Sequence, residues 1–113
     1  MSLLSFVRGL FSRDHAEDFA LPQFRYEGGD GSTVESAVIV RGAQSDLEGT
    51  AATFLWMHRH VGAKNDAWRL VTHATRREGL RAIDTFDVIL RDGTPQSIHF
   101  DVTESFGKPF RPS

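Results

Sequence analysis

The sequence predicts an α+β domain: an antiparallel sheet of four to five strands, one long helix on one face and a short N-terminal helix, in the order α-β-β-α-β-β-β. Three observations predict it. Ser45 and Glu48 stand at the S-x-x-E spacing of a capping box, and Gly62 follows where a left-handed helix cap belongs. Three later runs, 68–76, 81–90 and 96–103, alternate apolar and polar residues and are separated by Glu78-Gly79 and Asp92-Gly93 turns. A chain of 113 residues, 40% hydrophobic and 25% charged, suffices for one modest core.

Taken in order, Leu3, Leu4, Phe6, Val7, Leu10 and Phe11 fall at helical spacing with Arg8 and Arg13 off the stripe. This short amphipathic helix packs on the domain, on a partner chain or, through residues 2–12, on a membrane surface. No basic residue precedes the apolar stretch and no small-residue cleavage site follows it, so it is not read as a signal peptide. Ser12 to Pro22 reads as a linker, making residues 1–22 a helix and linker ahead of a single domain at 23–105. Phe24 to Glu27 and Thr33 to Arg41 read as a hairpin around Gly28-Gly29-Asp30-Gly31. In the helix, Leu47, Ala51, Phe54, Leu55, His58 and Val61 share one stripe, which is expected to face the sheet and leave Trp56 outside. Residues 106–113, with Pro109 and Pro112, read as a loosely held tail.

The last hairpin can be given a register. Phe86, Val88 and Leu90 share one face of their strand, as Ile98, Phe100 and Val102 do of theirs. A two-residue loop would put these sets on opposite faces. A three-residue loop, Arg91-Asp92-Gly93, pairs Phe86 with Ile98 and buries both sets together. Thr85, Asp87, Ile89, Ser97, His99 and Asp101 then share the other face.

Composition excludes several activities. Without Cys there are no disulfides, thiolate metal sites or cysteine nucleophiles, which accords with a cytoplasmic location. A net charge of −2 gives no field for nucleic acid, and the cluster Arg69, Arg76, Arg77 and Arg81 lacks interleaved aromatics. No apolar run approaches the ~20 residues of a membrane span. His58 and His60 stand about 200° apart on a helix and cannot share a metal. The glycine-rich turn joins two strands, not a strand to a helix, so it is no phosphate cradle. No cofactor and no dedicated metal site is implied.

Two candidate sites remain. On the open sheet face, Asp87, His99 and Asp101 are joined by His73 if Trp68, Leu70 and Ala74 point at the core, and Asp87 and His99 are expected to touch. Two imidazoles and two carboxylates would serve a divalent metal or an acid–base pair, although a wet antiparallel face produces such clusters by alternation alone. The other candidate is an interface: Trp56, flanked by Ala52 and Gly49, presents apolar area outside the helix. The competing expectation is that Trp56 packs within its own chain.

The element order resembles profilin-like domains of the roadblock and PAS type, with cystatin-like and NTF2-like arrangements as alternatives. The run Phe86-Asp87-Val88-Ile89, Asp92-Gly93, Ile98 to Val102 and Phe106-Gly107, with the Asp30-Gly31-Ser32 turn and the Ala51-to-Trp56 segment, resembles a group of small bacterial proteins without an assigned activity. That resemblance covers about residues 26 to 108 and implies domain limits, not chemistry. The function expected is a non-enzymatic protein-binding or regulatory module, a homo-oligomer or the receptor of a protein partner. The alternative is a small enzyme or metal-dependent site using His73, Asp87, His99 and Asp101.

Overall fold

The structure, a computed structural model, describes residues 24–110. The expected N-terminal helix, the linker and the last three residues of the expected tail lie outside them. Five strands and one helix follow in the order β1 (Arg25–Gly28), β2 (Val38–Arg41), α1 (Asp46–His60), β3 (Trp68–Glu78), β4 (Arg81–Leu90) and β5 (Pro95–Asp101). They form an α+β fold with a single sheet of strand order β1-β2-β5-β4-β3. The pairs are antiparallel except β2 with β5, which run parallel with Val38 opposite Phe100. From β2 the chain crosses the sheet as α1, enters the far edge as β3, and returns through β4 to set β5 beside β2.

The β4–β5 hairpin has the expected register. Phe86 pairs with Ile98, and the loop Arg91-Asp92-Gly93 closes on a bond from Leu90 N–H to Thr94 C=O (2.9 Å). Gly93 has φ +89°, a conformation costly for any residue with a Cβ. The β3–β4 turn is tighter: Glu78 pairs with Arg81 around Gly79 (φ +65°) and Leu80.

β2 is shorter than expected because its first half is a loop built by its own side chains. Asp30 accepts the Ser32 N–H (2.9 Å) and hydroxyl (2.7 Å), and Thr33 and Ser36 bond each other's backbone N–H at 3.0 Å. These local bonds offer the backbone an alternative to the ladder. The loop also folds toward the open face, where Arg81 reaches the Val34 carbonyl.

α1 is capped as expected, with the Ser45 hydroxyl accepting the Glu48 N–H at 3.1 Å. Glu48 reaches back to the N–H of Gln44, one residue before the cap. The expected apolar stripe is corrected in part, for Ala51, Phe54 and Leu55 are buried as expected. Leu47 and His58 are exposed, and the sheet-facing line runs through Gly49, Thr53 and Met57, all buried. Phe54 and Trp56 flank that line, packing on Phe86 (5.0 Å between centroids) and Phe100 (5.3 Å). Small residues at the contact let helix and sheet approach closely. A Cβ on Gly49 would collide with the Ser105 hydroxyl. Fully buried Phe86 and Phe100 centre this core, each worth about 2–3 kcal/mol in removed apolar surface.

The start of the expected tail is instead tied to the helix. Asp46 accepts the Gly107 N–H (2.8 Å) and donates its own N–H to the Lys108 carbonyl (2.9 Å), while Phe106 lies under the Arg77 guanidinium (5.0 Å). Among the described residues, no helix is long and apolar enough to cross a membrane.

Candidate functional site

The expected open-face cluster does not assemble. The β3–β4 ladder slips between Leu70 and Thr72, leaving Val71 as an extra residue. Beyond that bulge the strand's alternation is inverted, so Thr72 and Ala74 lie on the open face and His73 on the helix face, opposite His99. The hairpin register also sets Asp87 opposite Ser97 and His99 opposite Thr85, so Asp87 and His99 are not a direct pair.

Each remaining member has its own partners. Asp87 accepts from the Ser97 (2.5 Å) and Thr72 (2.6 Å) hydroxyls, which hold its carboxyl below the usual carboxylate range with a smaller contribution from His99. His99 Nδ1 bonds the Thr85 hydroxyl at 2.9 Å. Asp101 accepts from Arg81 Nε (2.9 Å) and from the Thr103 amide and hydroxyl. Burial works against its charge, but these donors outweigh it and keep its carboxyl below the ordinary value. Among the described residues, no three His, Asp or Glu side chains converge on a metal position.

The helix face holds a pair that sequence reasoning missed. Asp84 is buried and receives His73 Nε2 at 2.8 Å and the Thr75 hydroxyl at 3.0 Å. The imidazole lies against Phe86 (4.2 Å) and meets the edge of Phe54 (5.7 Å). Beside Asp84 is a hollow of about 230 Å³ between the start of α1, Thr75 and Ser105. An imidazole oriented by a carboxylate has acid–base capacity. Here its ring is fixed among core aromatics, and the pair ties β3 to β4. A signal was present: Asp84 stands at the apolar parity of β4, with Ala82, Phe86 and Val88.

The expected interface residues lie within the fold. Ala52 is buried and its carbonyl accepts the Tyr26 hydroxyl (2.7 Å), and Gly49 sits on Ser105. Burial pushes the Tyr26 phenol up to about 12, partly offset by Arg59. Trp56 is half-buried, edge-on to Phe100 and stacked on His60 at 4.4 Å. Its ring nevertheless reaches a groove of about 1040 Å³ at the end of the sheet where β4 passes into β5.

Val61, Ala67, Leu90 and Ile98 join Trp56 in the apolar wall of this groove, and Asp30, Asp66 and Asp92 stand around it. The Ser32 amide and hydroxyl hold Asp30 below the usual carboxylate range, and the Thr94 hydroxyl and amide do the same for Asp92. Asp66 pairs with Arg91 at 2.9 Å. Three loops, β1–β2, α1–β3 and β4–β5, thus supply one carboxylate each. Apolar walls with a few charged groups are what ligand clefts present. Compared with family models, curated proteins and solved structures, the chain matches none.

Proposed function

We propose that this domain is a non-enzymatic protein-binding module, and that it binds through the groove beside Trp56. The observation that carries this reading is the pairing of an aromatic and aliphatic wall with ionised carboxylates drawn from three separate loops. With Asp66 engaged by Arg91, Asp30 and Asp92 remain to meet a partner, which favours a basic segment carrying an apolar side chain. The half-buried Trp56 supplies the rigid contact area typical of an interface anchor. Self-association belongs to the same reading.

Backbone amide shifts of the labelled protein, followed by NMR during titration with acetyl-Arg-Leu-Arg-amide or acetyl-Glu-Leu-Glu-amide, test the proposal. Saturable shifts at Trp56, Val61, Leu90 and Gln96 from the basic peptide alone are expected. No shift at these residues up to millimolar peptide, or equal shifts from both peptides, refutes the reading.

A further inference from the structure

We propose that the groove's occupant is the β3–β4 hairpin tip of a second copy of this chain, with Leu80 inserted against Trp56. The inference rests on the groove being a binding site, as proposed above. Leu80 is 92% exposed at the end of a two-residue turn, the most solvent-exposed of the large apolar side chains among the described residues. It is carried on a projecting hairpin whose flanking Arg76 and Arg77 are both exposed. Arg81 is turned back onto Asp101, and Arg76 shares its charge with Glu78 at 2.9 Å. With Asp101 counted, the three guanidinium groups of the segment from Arg76 to Arg81 face two carboxylates, and the tip keeps a net positive charge. The tip is therefore an apolar residue among cations, and the groove is an apolar wall among carboxylates.

The placement of the two surfaces permits closure. Gln96 lies in the groove and pairs with Val88, eight residues along β4 from Leu80. At ~3.3 Å per residue, tip and groove are about 26 Å apart and cannot meet within one chain. Two copies lying antiparallel about a twofold axis bring each tip to the other's groove, so the contact forms twice and the assembly closes as a dimer. Opposite charge at the two ends steers that arrangement and disfavours tip against tip or groove against groove.

The absence of cysteine in the chain makes a direct test clean. Copies carrying Leu80→Cys are mixed with copies carrying Gln96→Cys under oxidised glutathione, and each variant is also oxidised alone. A disulfide-linked heterodimer that outpaces either self-linked product is expected. Sedimentation equilibrium of the unaltered chain is expected to show a dimer that dissociates as salt rises. Leu80→Asp and Gln96→Arg should each weaken it by about 10-fold or more, with circular dichroism unchanged. A monomer at every concentration, linkage of like positions only, or association indifferent to Leu80→Asp overturns the inference. If the basic peptide still shifts the groove in that event, the binding reading stands and only the second copy is excluded. If the peptide fails as well, both fall.

Discussion

The pair His73–Asp84 allows a sharp test of what holds β3 against β4. His73→Phe retains a flat aromatic ring against Phe86 and Phe54 but removes the donor to Asp84, leaving a buried carboxylate with the Thr75 hydroxyl. Removing one partner of a fully buried pair costs about 3–5 kcal/mol. The His73 side chain is 22% exposed and Asp84 only 3%, so water already reaches one side of the pair and the low end, about 3 kcal/mol, applies. Asp84→Leu removes the desolvated charge itself. The exposed Thr75 hydroxyl can turn toward water, the His73 side chain is already 22% exposed where it stands, and the hollow of about 230 Å³ beside the site accepts the added volume.

Asp84→Leu alone should therefore lie close to the parent and the double variant about 1 kcal/mol below it, giving a coupling of about 2 kcal/mol. Urea unfolding of the four proteins, followed by circular dichroism, measures the cycle. If His73→Phe costs under about 1 kcal/mol, and costs the same with and without Asp84→Leu, the side chains are not coupled and the reasoning fails.

Three further outcomes are expected. Tyr26 is the chain's only tyrosine, so its phenolate absorbance reports one site. Its folded value is raised, so the stability it contributes is present below ~10 and lost as pH rises through about 12. Tyr26→Phe should cost about 1 kcal/mol at neutral pH and remove that alkaline component, as unfolding titrations across the range will show. Asp101 has the opposite sign: its lowered folded value makes its contribution present above the ordinary carboxylate range and lost as pH falls through the folded value. Asp101→Asn should flatten the acid limb of the stability curve, and an unchanged limb contradicts the role given to Arg81 and Thr103. Gly93→Ala meets no neighbouring atom, so its cost is backbone strain alone, about 1 kcal/mol, and Gly93→Asn should lose less, both read from urea midpoints.

How far the fold was legible in the sequence follows from where alternation stays in phase. In the β4–β5 hairpin no residue interrupts the ladder, so burial of Phe86 with Ile98 was enough to select loop length and register. In β3 the same counting fails at Val71, which is neither glycine nor proline and gives no local sign of a bulge. That single extra residue moves His73 from an expected solvent cluster into the aromatic core, beside Asp84, which sequence reasoning had not singled out. The α1 face fails for another reason. Apolar periodicity gives weight to Leu47, which is exposed, and almost none to Gly49 and Thr53, which are buried, yet small size is what lets the helix seat on Ser105 and the sheet. The cap, set by two side chains and the local backbone, needed no tertiary information and was legible.

The groove was invisible to periodicity because it depends on topology. Asp30, Asp66 and Asp92 are far apart in sequence and belong to loops that no pattern of apolar residues links. They meet because β2 runs parallel to β5, which sets the β1–β2 loop alongside the start of β5, with the Gly31 carbonyl accepting the His99 N–H at 2.8 Å. The α1–β3 loop arrives at the same end by a separate route, Arg91 binding the Asp66 carbonyl and carboxylate from the neighbouring turn. A strand order that did not set β2 beside β5 would have taken Asp30 away from the other two. Trp56 was identified from the sequence as an unusual residue on a presumed outer face. The rotation of the helix changes its role: one edge completes the core against Phe100, and the rest of the ring forms the wall of a site whose charges come from elsewhere.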